Sequence, residues 1–195
     1  MKKQLSIALV AATLLTTSLS ADIQRTFYPD GKTKFSKNMK NGKLHGEAKA
    51  YYQSGRLKTR TQFKNGVVSG TTYGYYKNGS LKAIIPMYNG KIDGTQKEFY
   101  DNEQVYSITN YLMDKIVGTK KIYHRNGNLK AKLQFDDNGQ MYGTQKEYYD
   151  NGNMKYKIAI DENGKAKKGR IYELNGNDRK MTKEDMKKLG FEPRR

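Results

Sequence analysis

The sequence predicts an all-β protein, an elongated antiparallel sheet of tandem 24-residue β-hairpins followed by a short C-terminal capping helix. Three observations predict this class. Tight-turn signals recur at a fixed period, the segments between them alternate polar and apolar residues at period 2, and helix-capping signals occur only near the end of the chain. Hydrophobic residues make up only 35% of the 195 residues, so the core of this sheet must be thin.

Residues 1–21 have the pattern of a secretory signal peptide. Two lysines precede an apolar run over residues 5–15, and small residues follow over residues 18–21. A transmembrane helix needs about 18 or more apolar residues, and this run is shorter. We therefore expect cleavage after Ala21 or Ser20, and a mature chain that is periplasmic or secreted. Because the chain has no cysteine, disulfides and thiolate metal sites are excluded.

Residues 22–180 are predicted to form the repeat array. Each unit has an aromatic pair followed by a turn, and these segments read FYPDG, YYQSG, YYKNG, FYDNE, YHRNG, YYDNG and YELNG. Their fifth residues are 24, 24, 24, 24, 25 and 24 positions apart. A second turn, such as NGKLHG or NGVVSG, lies between them. Two turn signals per unit, several of them Asn-Gly, predict one β-hairpin per period.

The alternation within each hairpin assigns side chains to the two faces of the sheet. If a two-residue turn joins the strands, Tyr52 pairs with Leu57 and Tyr51 pairs with Lys58, so that Tyr51 and Lys58 share a face. A three-residue turn would exchange some of these assignments.

The recurring pattern YYxNGxLK, followed by a second NGxxxG, resembles the MORN repeat, especially the variant in bacterial proteins grouped as the YwqK family of antitoxins. The resemblance covers about residues 27–176. It implies a twisted antiparallel sheet that acts as a binding or scaffolding surface for lipids or proteins. Departures are Glu103 and Asp114 for glycines, His124 for an aromatic residue, and Pro86 within a strand. The unit from residue 101 to 118 is therefore expected to bend or interrupt the sheet.

Residues 181–195 are predicted to form a capping helix and a basic tail. Thr182 can cap a helix with two acids in its first turn, two lysines in its last turn and Gly190 as its stop. Met186 and Leu189 are expected to cover the last open strand. Arrays need such caps because an exposed strand edge invites pairing with other chains.

The net charge of +18 is unevenly distributed. Without residues 1–21, which hold two lysines and no acid, it is +16; residues 23–91 carry +12 and residues 93–195 carry +5. The front half is therefore predicted to face an anionic polymer, a lipid headgroup or an acidic protein. The alternative is that the charge only keeps a repetitive sheet soluble. Nucleic acid is a poorer partner because export is expected.

A ladder of lysines interleaved with aromatic rings is the strongest candidate for a binding surface. Equivalent positions in successive hairpins recur at about 9 to 10 Å, because neighbouring strands lie about 4.8 Å apart. The candidate binding residues are Lys34, Lys58, Lys82, Arg56, Arg60, Tyr51, Tyr75, Lys130 and Lys155. The alternative is that these lysines mark a solvated face that blocks aggregation.

The sequence shows no catalytic or metal-binding pattern. His45 and His124 lie outside metal and nucleophile motifs, and Glu98 and Glu147 occupy equivalent positions of different units rather than facing each other. Phosphate-binding glycine loops and GxSxG elbows are also missing. We therefore expect no enzyme and no cofactor, but an exported binding or scaffolding protein. The alternative is a YwqK-like antitoxin or immunity protein that neutralises a cognate toxin by direct binding.

Overall fold

A computed structural model describes residues 22–194, so the expected signal peptide lies outside the described residues. This part of the chain forms sixteen strands and one helix. The elements are β1 (Asp22–Phe27), β2 (Thr33–Lys40), β3 (Lys43–Tyr51), β4 (Leu57–Lys64), β5 (Val67–Val68), β6 (Gly70–Tyr75), β7 (Leu81–Tyr88), β8 (Lys91–Ile92), β9 (Gly94–Phe99), β10 (Val105–Leu112), β11 (Lys115–Tyr123), β12 (Leu129–Phe135), β13 (Gly143–Tyr148), β14 (Met154–Ile160), β15 (Ala166–Tyr172), β16 (Asp178–Lys180) and α1 (Lys183–Lys188).

All strands belong to one antiparallel sheet in which spatial order follows chain order, and this confirms the predicted fold class. The short strands β5 and β8 pair only with β4 and β7, and the other fourteen strands form an unbranched path. The expected interruption over residues 101–118 is wrong, because β9, β10 and β11 pair in succession. Glu103, Met113 and Asp114 adopt φ values of 68°, 51° and 72°, so the backbone makes its turns there without glycine.

The second turn of each front unit is a two-residue turn that uses the Asn-Gly pair. Asn41 and Gly42 have φ values of 51° and 71° between the paired residues Lys40 and Lys43, which is the geometry of a type I′ turn. Asparagine and glycine tolerate this left-handed region at the lowest cost. The sequence signal therefore specifies both the position and the type of these turns.

The turn after each aromatic pair has three residues instead of two. In the second unit, the Tyr52 N–H donates to the Arg56 carbonyl (2.8 Å) and the Gly55 N–H donates to the Tyr52 carbonyl (2.8 Å). Gly55 has a φ of 86°. The same two hydrogen bonds close the turns that begin at Tyr28, Tyr76, Tyr100, His124, Tyr149 and Glu173.

This turn length changes the strand register and corrects the predicted facing. Tyr51 pairs with Leu57, Ala50 pairs with Thr59, and Lys58 between them is the extra residue of a β-bulge. The two-residue turn, which paired Tyr51 with Lys58, is therefore wrong. The three-residue alternative describes the structure.

A cluster of buried hydrophobic residues lies under α1. Its buried members are Tyr156, Ile158, Ile160, Ala166, Met181 and Met186. The helix therefore packs over β14 and β15. The segment that follows it exchanges main-chain hydrogen bonds with β15, between Ala166 and both Glu192 and Arg194, so the C-terminal region covers part of the open edge of that strand. Leu189 remains 37% exposed, so only Met186 of the two predicted cover residues is buried.

The helix itself starts and stops at the predicted residues. The Thr182 hydroxyl accepts a hydrogen bond from the Asp185 N–H (3.1 Å), and the Asp185 carboxylate accepts one from the Thr182 N–H (2.8 Å), which completes a capping box. Gly190, with a φ of 81°, donates its N–H to the Lys187 carbonyl.

Within residues 22–194, the structure contains no helix with the length and apolar character that a membrane span requires.

Candidate functional site

Successive hairpins are joined by hydrogen bonds from side chains to the main chain. In six of the seven units the second residue of the aromatic pair donates to the carbonyl of the first aromatic residue of the next unit. We call the six donors the tyrosine ladder: Tyr28, Tyr52, Tyr76, Tyr100, His124 and Tyr149. The five tyrosine bonds span 23 residues and measure 2.7 to 3.0 Å between heavy atoms.

His124 replaces tyrosine in the unit that carries an inserted residue. Its Nε2 lies 2.9 Å from the Tyr148 carbonyl, 24 residues further along the chain. The ring nitrogen is thus the donor that keeps the ladder continuous. The ladder explains why the second aromatic is almost always tyrosine, since phenylalanine could not donate.

The five predicted ladder lysines all occupy the bulge position of their hairpins. These bulge lysines are Lys34, Lys58, Lys82, Lys130 and Lys155. Four of their ammonium groups lie 5.5 to 5.9 Å from the ring centre of the ladder tyrosine in the same hairpin, a distance that allows cation–π attraction. The fifth, Lys130, belongs to the hairpin of His124. The lysines therefore lie beside the ladder tyrosines and not beside Tyr51 and Tyr75.

The bulges place these lysines on the face that carries the tyrosine ladder, which we call the ladder face. Lys155 Nζ lies 2.9 Å from the Glu147 carboxylate, and Glu147 pairs with Tyr156 in the cluster under α1. Side chains alternate along a strand, so Lys146 and Glu147 point to opposite faces. Lys157, which pairs with Lys146, therefore lies on the face opposite to Lys155.

The other predicted binding residues are divided between the faces and the turns. Arg60 pairs with Lys49 and Tyr73, and its guanidinium lies 4.5 Å from the Tyr73 ring centre. Arg56 is in the turn, where it donates to the Lys77 carbonyl (2.9 Å). The carbonyls of Tyr51 and Tyr75 accept ladder hydrogen bonds. The nine predicted residues therefore do not form one surface.

The face opposite the ladder carries a continuous line of cross-strand pairs that runs from β1 to β16. In order, its members are Arg25, Ser36, Lys49, Arg60, Tyr73, Ile84, Lys97, Ile108, Lys121, Lys132, Lys146, Lys157, Arg170 and Lys180. Directly paired residues share a face, so ten cations lie in single file. We call the last six, from Lys121 to Lys180, the cationic row, and their side the row face.

Acidic residues neutralise the front of this line more than the cationic row. Glu47 contacts both Lys49 and Arg60, so these two cations share one carboxylate. Within residues 22–194, Arg170 is the one member of the cationic row that forms an ion pair, with Asp178. Residues 93–195 carry less net positive charge than residues 23–91. However, among the described residues, their cations without an ion-pair partner follow one another directly along the line, whereas those of the front half do not.

Sequence reasoning missed the cationic row because the register depends on the bulges. A signal was present, since a basic residue stands two positions before the first aromatic in six of the seven units: Arg25, Lys49, Lys97, Lys121, Lys146 and Arg170. Comparing the net charges of the two halves of the chain hid this pattern, because the acids of the back half offset its cations in the sum. The acids of the back half lie mainly in hairpin turns, in α1 or on the ladder face, as Glu98 and Glu147 do.

The two repeated glutamates are too far apart to act as an acid–base pair. Four strand steps separate Glu98 from Glu147 along one cross-strand line, or roughly 19 Å. Glu98 accepts a hydrogen bond from the Ser107 hydroxyl (2.6 Å). Burial, with a contribution from the Glu147 carboxylate, raises the pKa of Tyr156 well above its usual range. Both glutamates thus serve local packing and pairing.

No metal centre is apparent in the part of the chain that the structure describes. None of its histidines, aspartates and glutamates form a group of three or more that could hold a metal ion. His45 Nδ1 lies 3.1 Å from the Asn65 amide oxygen, in a contact between neighbouring turns. Both histidines therefore have structural roles in this fold.

Comparison with known families agrees with the geometry of the hairpins. Four segments, residues 44–65, 92–112, 116–137 and 141–159, match the family described as MORN repeat variant. Over these four segments the chain is similar to MORN-type repeats. Each matched segment holds two strands joined by the three-residue turn, and the unmatched hairpins, with turns at Tyr28, Tyr76 and Glu173, repeat the same turn hydrogen bonds. No curated protein matches the chain.

MORN repeats typically form binding or scaffolding surfaces and are generally non-catalytic. In this chain the repeats present two chemically different faces. The ladder face carries tyrosines and bulge lysines over small buried residues such as Ser107 and Ala131, whereas the row face carries single-file cations.

Proposed function

We propose that this MORN-type repeat protein is a non-enzymatic, exported scaffold that binds an anionic component of the cell envelope, or an acidic partner protein, through its sheet. One observation supports this proposal most strongly. A single sheet of fourteen consecutive strands holds ten cations in one line on one face. A surface lined by charges of one sign creates a potential that attracts ligands of the opposite sign.

Binding to anionic material at two salt concentrations tests the proposal. Purified protein lacking residues 1–21 is mixed with immobilised anionic polymers, anionic vesicles and neutral vesicles, at low and at physiological salt. Electrostatic recognition predicts retention on the anionic materials that weakens as salt rises, because the Debye length falls from about 30 Å at 0.01 M to about 8 Å at 0.15 M. Equal retention on neutral and anionic materials would refute it.

Export is part of the same proposal and has its own test. The pattern of residues 1–21 supports a signal peptide. Expression of the full chain in a bacterium that exports proteins should give a mature protein beginning at Asp22 or Ala21. N-terminal sequencing that found Met1 on the periplasmic or secreted protein would contradict export with cleavage.

The antitoxin alternative rests on the resemblance to the YwqK family alone. No structural feature described above favours a toxin over another acidic partner. A toxin gene beside the gene for this chain would favour the alternative, and co-purification of the two products in a stable complex would establish it.

A further inference from the structure

The cationic row is costly for folding, and this cost is the reason to assign it a ligand. Lysine faces lysine in three consecutive cross-strand pairs, from Lys121 to Lys157, and arginine and lysine follow. Like charges directly opposite each other destabilise a sheet. A solvated face needs charge but does not need this alignment, since alternating signs would keep the chain soluble and stabilise the strands.

The surroundings of the row are concave. Lys132, Lys146, Lys157, Arg170 and Lys180 line a groove of about 680 Å³. Lys167 and Lys168 also line this groove. Two further lysines beside the row thus add to the charge. A groove of this kind fits a chain better than the flat surface of a bilayer.

The donors of the row indicate the chemistry of the ligand. Lysine and arginine side chains donate hydrogen bonds and accept none. A phosphate polymer offers mainly acceptors, since each phosphate group of the chain presents charged oxygens, whereas an acidic peptide brings one backbone N–H donor per residue, which these side chains could not satisfy. Compact ammonium groups are also well suited to phosphate as point charges.

On this basis, and resting on the proposed function, we propose that the cationic row binds a linear phosphate polymer laid across the strands. The polymer runs perpendicular to β11–β16, with one ammonium or guanidinium group at each strand, of which the Arg170 guanidinium is already paired with Asp178. Six strands give five intervals of about 4.8 Å, so the row spans about 24 Å. Longer polymers should therefore bind better than short ones until this length is covered.

The decisive experiment compares two triple variants that lose the same charge. In the row variant, Lys132, Lys146 and Lys157 are changed to Gln; in the matched control, the bulge lysines Lys34, Lys58 and Lys82 are changed to Gln. Binding of long-chain polyphosphate, tripolyphosphate and poly(glycerol phosphate) is measured at low salt. We expect the row variant to bind long-chain polyphosphate about tenfold more weakly or worse, because polyanion affinity depends on the number of charges neutralised. The control should bind as wild type does.

Thermal unfolding of each variant shows whether a loss of binding comes from a loss of folding. The row variant should unfold at the same temperature as wild type or higher, because it removes cross-strand repulsion. Long-chain polyphosphate should raise the unfolding temperature of wild type and of the control but not that of the row variant. A row variant that unfolds early would be replaced by single changes at Lys146 and Lys157.

The other outcomes separate this inference from the proposed function. Equal losses in both triple variants would overturn the row as the site while leaving diffuse anion binding intact. Tighter binding of polyglutamate or single-stranded DNA than of either long phosphate polymer would overturn the ligand class. Binding to anionic vesicles alone would favour a bilayer over a chain. If wild type bound none of these anions, the inference and anion binding would both fail. Preference between polyphosphate and poly(glycerol phosphate) would distinguish the two sources.

Discussion

The hydroxyl of Tyr52 donates a 2.7 Å hydrogen bond to the main-chain carbonyl of Tyr75, 23 residues further along the chain. The same bond is made by the equivalent residue of six consecutive units, with one histidine among them. Each hairpin is thus joined to the next by a side chain as well as by strand pairing. The array is held together by a repeated local contact and not by a large core.

Removing this hydroxyl should destabilise the array without changing its shape. Tyr52→Phe keeps the ring and deletes only the donor, so we expect a loss of about 0.5 to 1.5 kcal/mol in the free energy of unfolding. Urea unfolding followed by circular dichroism measures it. Tyr88→Phe is the control, since Tyr88 is 53% exposed and lies outside the ladder. Similar stabilities for the two variants would show that the ladder bond contributes nothing.

Restoring glycine at the irregular turn should stabilise the protein. Glu103 has a φ of 68° where the equivalent residue of the other units is glycine. The left-handed region costs a residue with a side chain about 1 to 2 kcal/mol, part of which the greater chain entropy of glycine offsets. Glu103→Gly should therefore unfold at higher urea concentration.

The reverse change, Gly127→Glu, is its matched control and should destabilise, because Gly127 has a φ of 88° in the same turn position. If both changes shifted stability in the same direction, backbone strain would not be the cause.

A methyl group at Gly169 should disturb the contact beneath α1. An added Cβ would lie 3.1 Å from the Lys157 carbonyl oxygen and would overlap Met181. We expect Gly169→Ala to cost about 1 to 3 kcal/mol, the range for overpacking a core. Gly74→Ala is the control, since its Cβ would meet Ala83 at an ordinary 3.8 Å. Thermal unfolding of both variants checks this, and equal melting temperatures would contradict it.

The cap of α1 should make stability sensitive to acid. The Arg179 guanidinium, with hydrogen bonds of 2.7 and 3.0 Å, and the Thr182 N–H hold the pKa of Asp185 far below its usual range. A depressed carboxyl pKa stabilises the folded state fully above the unfolded pKa, about 3.9, and this stabilisation disappears as pH falls towards the folded pKa.

Asp185→Asn should therefore unfold more easily than wild type at pH 7, and the difference should shrink as pH is lowered below about 4. Urea unfolding of both proteins at several pH values gives this difference. Because all other carboxyl groups are present in both proteins, the difference between their free energies of unfolding reports on Asp185 alone. A difference that does not change with pH would show that the carboxylate charge is irrelevant.

The repeat period and turn residues were sufficient to predict the sheet, since Asn-Gly pairs such as Asn41–Gly42 specify a turn through local backbone preference alone. The facing of Tyr51 and Lys58 was not predictable to the same degree. It depends on one residue of turn length and on a bulge, and a shift of one residue moves a side chain to the other face. The cationic row escaped notice for the same reason, because it exists only once the register of six strands is known.

The uniform 23-residue span of the tyrosine bonds also allows the array to vary in length by whole units. Inserting or removing a whole unit would preserve the hydrogen bond from each hairpin to the next. Even the one-residue insertion after His124 leaves this bond in place. Each unit adds two strands, or about 9.6 Å, along the direction in which the cations are lined up. If the proposed polymer binds along this direction, chains with more or fewer units should bind longer or shorter polymers of the same chemistry.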